Sequence, residues 1–439
     1  MEQQPAPVLA TTIQVGETPP RWPWVEPAVW TERMLTTLEM GVKGGKWFSL
    51  IDKVYWVANL ASAFTKVAAN DGASGVDHVG VRDFERNLDS NLAKLHEQLR
   101  DGSYYPQAVR RVWIPKLGST EKRPLGIPTV RDRTVQAAIR HVIEPIFERD
   151  FAEHSYGFRP GRGCKDALRR VDQLLKQGFR YVVDADLKAY FDSIPHDKLM
   201  TRLREKISDG RLLNLIESFL QAKILDEAKE WSPESGAPQG AVLSPLLSNV
   251  YLNPLDHLLV QHGFEMVRYA DDFVILCRTK EDAHRALEIV RTWVDEAGLK
   301  LHPEKTRIVN VDAESFEFLG YEFRKHYRFP RKKSIAKLKA SLRPRLKRTA
   351  GFSLKTIIVD VNLTLRGWFE YFKHAWPTSF PKIDSWVRGR LRSILRKRAG
   401  RRGRAGGEDQ HRYPNLLFER QGLFCLVTAR AAEGQSSSR

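Results

Sequence analysis

The stretch MVRYADDFVIL, Met266 to Leu276, constrains the fold more than any other part of this sequence. Two short apolar runs flank two adjacent carboxylates, Asp271 and Asp272, so the segment reads as two strands around Ala270–Phe273. An Asp-Asp tip is tolerable in a hairpin, because Asp visits left-handed conformations, but Asn-Gly would serve the turn better. Charges placed where turn chemistry does not demand them point to another purpose.

A second carboxylate pair supplies one. VVDADLKAYFDSIPH, Val182 to His196, starts as a β-branched, apolar strand and carries Asp184 and Asp186 on one face of it. Asp186 falls where the apolar run ends and a turn begins, and is the candidate of the two. Mg²⁺ takes oxygen ligands, commonly one or two carboxylates plus substrate phosphates. Two such ions about 3.5–4 Å apart can activate an attacking oxygen and stabilise a leaving one. Asp186, Asp271 and Asp272 on neighbouring strands could build that site; a solvated hairpin tip is the plain alternative.

The remaining patterning mixes strands and helices, which predicts an α+β fold with antiparallel pairs and helices on one face. Residues 1 to about 30 are rich in Pro and polar residues, with Trp22, Trp24 and Trp30 interspersed, and read as a loose arm docked by its tryptophans. WVANLASAFTKVAAN and FERNLDSNLAKLHEQLRDG read as helices either side of the loop NDGASGVD. VRRVWIPK reads as a strand, EKRPLGIPT as a proline-bounded loop, and DRTVQAAIRHVIEPIF as a helix up to Pro145. KDALRRVDQLLKQG is a helix ended by Gly178, and KEDAHRALEIVRTWVDEAGLKL a helix and then a strand. SGAPQGAVLSPLLSNVYLNPLD, Ser235 to Asp256, places a Gly-x-Pro-Gln-Gly turn before an apolar helix; its glycines permit close backbone approach to a ligand, and Gln239 can hydrogen-bond a base or sugar. Beyond Phe329, basic stretches with helical spacing lead to a flexible segment near 400–410.

The chain has 439 residues and a formal net charge of +18, an excess that suits a polyanionic partner such as nucleic acid. Ribosomal contact or an acidic membrane face would account for the charge equally. Cys164, Cys277 and Cys425 are its three cysteines, and no Cys-x-x-Cys pair occurs, which argues against a disulfide framework or a cysteine-rich zinc site. No apolar run is long enough to span a bilayer, and the beginning of the chain lacks the apolar segment of a secretory leader. A cytoplasmic protein with no membrane partner is the expectation.

In chain order the sequence presents the Asp186 strand, the Gly-x-Pro-Gln-Gly turn, YADD, GLKLHPEKTRI and FEFLGYEF. That succession resembles the palm of reverse transcriptases over about residues 60–325. IPKLGSTEKRPLGIPTVRDRTVQ and HSYGFRPGRGCKDAL resemble the fingers segments, and LRGWFEYFKHAW the RNA-binding region, of group II intron-encoded reverse transcriptases and maturases. The resemblance implies a right-hand polymerase: an arm over 1–48, fingers with an N-terminal extension over 49–180, a palm with an antiparallel sheet over 181–328, a basic helical thumb and maturase domain over 329–405, and a C-terminal extension over 406–439. NDGASGVD resembles the N-terminal extension that contacts template.

The same resemblance implies residue roles. Asp186, Asp271 and Asp272 fall on the catalytic carboxylates that hold two Mg²⁺ ions, with Asp272 acting more indirectly. Lys116 and Arg123 match residues that clamp the dNTP triphosphate, Phe191 the steric gate against a 2′-hydroxyl, Gln239 a contact to the nascent pair, and Lys305 an acid assisting pyrophosphate departure. Phe318, Leu319 and Gly320 match the primer grip. Lys332, Lys333, Lys337, Arg343, Arg345, Lys347, Arg348, Lys373, Arg388 and Arg390 are the implied RNA contacts. Trp368, Phe369, Tyr371 and Phe372, with Leu363 and Leu365, share one broad helix face and read mostly as core.

The implied partners are group II intron RNA, target DNA, a primer–template duplex and dNTPs, in a bacterial ribonucleoprotein acting at the chromosome; the oligomeric state stays open. NLLFERQGLFCLVTARAA resembles the short extension of members without an endonuclease. A splicing factor without polymerase activity, or a relative recruited to host defence or repair, are the competing functions.

Overall fold

The computed structural model describes residues 22–42, 44–115, 122–227, 229–401 and 406–436. Its strands are β1 (Val109–Pro115), β2 (Lys122–Ile127), β3 (Tyr181–Asp186), β4 (Ile224–Asp226), β5 (Lys229–Trp231), β6 (Glu265–Tyr269), β7 (Asp272–Cys277), β8 (Arg307–Asn310), β9 (Phe316–Phe318), β10 (Tyr321–Arg324) and β11 (Tyr327–Pro330). They form three sheets, in the orders β2-β1-β4-β5, β6-β7-β3-β8 and β11-β10-β9.

The β6-β7-β3-β8 sheet is antiparallel throughout and, among the described residues, lies between two apolar cores. Alternation along each strand sets which core a residue enters. Val183, Ala185, Phe273 and Ile275 face the core that contains helices Ser244–Gln261 and Lys280–Glu296. Val182, Val274, Leu276 and Val309 face the core shared with helix Cys164–Lys176, the β9–β11 sheet and the basic helices beyond it. Asp186 and Asp272 are opposite each other in register, so they lie on this second face, at its open end.

The proline-bounded segment EKRPLGIPT is strand rather than loop over Lys122–Ile127. Pro124 pairs with Trp113, but β2 is the edge of its sheet, where a missing N–H interrupts no ladder on the far side. The LKL segment after the Lys280–Glu296 helix makes only an isolated bridge, Leu187 with Leu301, instead of a strand.

Helix Val130–Glu148 continues past Pro145, contrary to the expected stop. Fifteen of its nineteen residues are buried, which makes it an interior helix held by packing rather than by one amphipathic stripe. Proline removes the N–H that would bond the His141 carbonyl. The Trp30 indole Nε1 donates to that carbonyl at 2.9 Å instead. Trp22 and Trp30 are both buried, so the described part of the arm is docked by its tryptophans.

The basic region folds as helices Lys332–Leu342, Leu354–Phe372 and Pro381–Arg398. Ile358, Val361, Leu365 and Phe369 bury one stripe of the second helix. Leu363 departs from the expected face and is 70% exposed, because Val361 and Leu365 turn toward the core on either side of it. Residues 402–405 of the expected flexible segment lie outside the described residues; Gly407–Arg412 is a helix whose Asp409 is buried against Arg396 at 2.9 Å. Asp384 accepts the backbone N–H groups of Leu426 and Val427 at 3.1 and 3.0 Å, fixing the start of helix Leu426–Ser436.

Trp30→Phe keeps an aromatic side chain but deletes the N–H that donates to the His141 carbonyl and leaves space where the second indole ring packed. A loss of at least about 1–3 kcal/mol is expected in urea unfolding, the cost of a buried acceptor left alone, to which the unfilled space adds. An unchanged midpoint would mean another donor replaces it.

Candidate active site

The β6–β7 hairpin turns through Ala270 and Asp271, between the paired Tyr269 and Asp272. Ala270 has φ +60°, the left-handed region that a two-residue hairpin turn requires and that glycine usually supplies. Asp271 therefore sits on the turn and Asp272 on the first rung of the ladder, directly opposite Asp186. Such opposed residues have Cα atoms about 4.5–5.5 Å apart.

Buried polar contacts hold the turn. Arg268, with no exposed surface, donates through Nε to Asp256 at 2.8 Å and through Nη2 to the other Asp256 oxygen. Its Nη1 donates to Asn249 Oδ1 and to the Ala270 carbonyl, both at 2.9 Å. Asn249 in turn donates to the Gly157 carbonyl at 2.7 Å. A Cβ on Gly157 would stand 2.2 Å from the Ala270 nitrogen, so only glycine lets this loop abut the hairpin tip.

Burial and neighbouring charge raise the proton affinity of Asp184, Asp271 and Asp272. Burial is the largest influence on Asp272, followed by the charges of Asp184, Asp271 and Asp186, and together they push it up to about 7. Burial likewise lifts Asp184 to about 6, against the pull of Arg307, whose Nε is 3.8 Å away. Burial and Asp186 raise Asp271, while its own backbone N–H and the guanidinium groups of Arg123 and Arg268 oppose the rise. Crowded, partly desolvated oxygen donors of this kind suit a hard divalent cation. Among the described residues no three His, Cys, Asp or Glu side chains form a cage for a metal by themselves. The donor set fits Mg²⁺ held by carboxylates together with substrate oxygens, rather than a closed structural metal.

Of the other expected residues, Lys305 and Arg123 reach these carboxylates, while Phe191 and Gln239 are placed by contacts of their own. Lys305 Nζ lies 2.6 Å from Asp186 Oδ2. Phe191 is buried in the short helix Tyr190–Ser193, and its carbonyl accepts from the Ala237 N–H at 2.7 Å. Tyr190 points elsewhere, donating to the Ser248 carbonyl at 2.8 Å. The Gln239 carbonyl accepts from the Gly126 N–H at 2.6 Å, tying the Gly-x-Pro-Gln-Gly turn to β2. Gly240 serves this contact: a Cβ there would meet the Gly126 oxygen at 2.4 Å. The close approach expected toward a ligand is thus made to the protein's own strand. Lys116 lies outside the described residues.

Leu319 and Gly320 both have positive φ, +46° and +83°, at the β9–β10 turn. The Leu319 N–H faces the Asp272 carboxylate and favours its charge. Sequence reasoning missed this contact, as it missed Arg268, Asp256 and Asn249. The available signal was an arginine inside the apolar strand MVRYA and an aspartate inside the apolar helix NPLDHLL.

The expected RNA contacts divide. Lys332, Lys333, Lys337, Arg343 and Lys347 are exposed, while Arg348 and Arg388 are half-buried. Arg345 pairs with Asp360 at 3.0 Å, Lys373 with Glu433 at 3.1 Å, and Arg390 donates to the Leu346 carbonyl at 2.9 Å, so these three also tie the helices of the basic region to neighbouring segments.

In metal-free buffer the raised carboxyls make the folded state bind more protons than the unfolded chain between about 3.8 and about 7. Stability then falls as pH rises through that window. Asp272→Asn removes the larger shift, and melting temperature should decline less steeply between about pH 5 and pH 8 than in the parent. Equal slopes would contradict the assignment.

Comparison with known proteins places residues 114–323 in a family described as reverse transcriptase (RNA-dependent DNA polymerase). Residues 335–411 match one described as the group II intron, maturase-specific domain. The chain is 35% identical over 320 residues to "Protein YkfC" of Escherichia coli (strain K12), across 64% of this chain and 83% of that protein. It is 32% identical over 341 residues to "Group II intron-encoded protein LtrA" of Lactococcus lactis subsp. cremoris, across 62% of this chain and 55% of that protein, so it spans about half of that relative. Among solved structures, one chain of a "Partial Cas6-RT-Cas1--Cas2 complex" is similar at 27% identity with a TM-score of 0.37, over 56% of this chain and 41% of that one.

Proposed function

This chain belongs to the group II intron reverse transcriptases and maturases, and from that premise we propose that it copies intron RNA into DNA and also assists splicing of that RNA. The observation that carries the reading is the register pairing of Asp186 with Asp272, with Asp271 on the adjoining turn.

The reaction is attack of a primer 3′-hydroxyl on the α-phosphate of a dNTP, forming the new phosphodiester and releasing pyrophosphate. Asp186 and Asp271 would hold two Mg²⁺ ions, with Asp272 beside them. When bound, these ions supply charge stabilisation to the attacking and leaving oxygens. The chain's own groups do the positioning, which carries much of catalysis in such transfers. Arg123 reaches the triphosphate as a planar fork, and Lys116 is assigned beside it. Lys305 stands within reach of Asp186 and is assigned to protonate the departing pyrophosphate. Gln239 abuts the nascent base pair, and Phe191 lies under the sugar, where its ring would collide with a 2′-hydroxyl. The Phe318–Gly320 turn supports the primer end.

The basic helices beyond Phe329 bind the folded intron by shape and phosphate contacts. The splicing chemistry itself belongs to the RNA. Copying the intron at a DNA target completes its mobility.

Asp271→Ala with Asp272→Ala should lower primer extension on an RNA template by about a thousandfold, while intron RNA binding persists. Extension at the parent rate with Mg²⁺ and dNTPs would remove the site assignment. Phe191→Ala should admit ribonucleotides, measured as the ratio of kcat/KM for a dNTP and its rNTP; an unchanged ratio would exclude the gate.

A further inference from the structure

We infer that a cavity on one face of the β2-β1-β4-β5 sheet holds an unpaired guanine base of single-stranded RNA, at a site separate from the proposed polymerase centre. The inference goes beyond the polymerase reading and stands without it.

Strand alternation assembles the face. Val109, Arg111 and Trp113 lie on one side of β1, with Gly126 opposite Arg111 and Pro124 opposite Trp113. Ile224 pairs with Val109 in β1 and with Trp231 in β5, which brings Trp231 to the same side. Arg123 pairs with Ile114 and so points to the other side. The loop 232–239 and Asp192 stand over this face and enclose about 670 Å³ with it. Gly236, at φ +97°, lets the loop lie against the Asp192 turn: a Cβ there would meet the Phe191 oxygen at 2.9 Å and Asp192 Cα at 3.0 Å. Ser235 Oγ donates to the Asp192 carbonyl at 3.2 Å.

The cavity is furnished for a ligand rather than packed as a core. Trp113 and Trp231 are 44% and 37% exposed. Their rings are nonetheless held. Trp113 Nε1 donates to both Asp226 oxygens, at 3.0 and 3.3 Å. The Arg111 guanidinium carbon stands 4.8 Å from the Trp231 ring centre and 5.7 Å from that of Trp113. Among the described residues, neither the Arg111 guanidinium nor the Asp192 carboxylate has a hydrogen bond or an ion pair. Both line the same cavity.

A fixed aromatic surface, a free donor fork and a free carboxylate together define the occupant. It must be flat, with adjacent acceptors for the fork and adjacent donors for the carboxylate. Guanine meets each demand: O6 and N7 accept from an arginine fork, and N1–H and the N2 amine face a carboxylate. Adenine and cytosine offer a carboxylate one amine, and uracil one N–H. The net charge of +18 draws an RNA strand to the molecule, and stacking on tryptophan holds a splayed-out base.

Labelled pentanucleotides UUGUU, UUAUU, UUCUU and UUUUU, titrated with the full chain and followed by fluorescence anisotropy, test the inference. UUGUU should bind about tenfold more tightly than the other three. Inosine in place of its guanine removes the N2 amine, and 7-deazaguanine removes N7; each should weaken binding several-fold. Arg111→Met and Trp231→Ala should bring UUGUU to the affinity of UUUUU, which surface charge holds unchanged. Asp192→Asn should abolish the difference between guanine and inosine. Equal affinities for the four pentanucleotides would overturn the inference, as would a guanine preference that survives Arg111→Met or is blind to both analogues. The analogues need only the parent protein, so a variant that fails to fold leaves the test intact. Guanosine 5′-monophosphate competing as well as UUGUU would make a free nucleotide the occupant and overturn the RNA assignment. A protein unable to extend primers would defeat the polymerase reading and leave these affinities to decide this one.

Discussion

The buried pairing of Arg268 with Asp256 is the contact on which the geometry of the proposed catalytic carboxylates depends. Removing a guanidinium and a carboxylate from water costs several kcal/mol per ion, and attraction offsets this only when the remaining donors are satisfied. Here Arg268 places Nε and Nη2 on Asp256 and Nη1 on Asn249 and the Ala270 carbonyl. The last of these holds a non-glycine residue in a left-handed turn, and strain of that kind persists only where surroundings over-determine it. The same residue's backbone is sewn to the preceding loop, with its N–H on the His154 carbonyl at 3.0 Å and its carbonyl accepting from Tyr156 at 2.8 Å. Side chain and main chain of one arginine thus locate the tip that bears Asp271.

Electrostatics then separates two kinds of surface. The chain carries +18 overall, yet four carboxylates, Asp184, Asp186, Asp271 and Asp272, collect at one sheet face. Phosphates are drawn to the molecule by long-range attraction and repelled at that one place. A polyanion can be accommodated there only if positive charge intervenes, and Arg123, Lys305 and Arg307 already lean on the cluster. The acidic centre and the basic surroundings make sense as parts of one nucleic-acid-handling surface.

The hairpin, the two carboxylate pairs and the helix after the Gly-x-Pro-Gln-Gly turn were legible because each rests on a local pattern: alternation, apolar runs and turn residues. Misread elements were those where a distant partner overrides a local rule. Pro124 breaks strands in general, but not on the outer edge of a sheet, and edge position is a property of the assembled fold. Pro145 ends helices unless another donor satisfies the freed carbonyl, and that donor, Trp30, lies more than a hundred positions earlier. Leu363 has the spacing of a core residue, but the packing stripe runs through its neighbours. Arg268 was visible as an anomaly in an apolar strand; its partner could not be named, because the helix that carries Asp256 reaches it only in three dimensions.

Strand β4 joins β1 in parallel, through Val109↔Ile224 and Arg110↔Leu225, although most of the sheet bearing Asp186 and Asp272 comes later in the chain. The inner edge of β1 therefore has no neighbour until residues 224–231 have left the ribosome, by which time β3 has already been made. During synthesis that edge carries unpaired backbone groups, the kind of surface that recruits foreign strands. Nascent chains halted after β1 and β2 have emerged, but before residues 224–231 have, should be the ones that most need a chaperone.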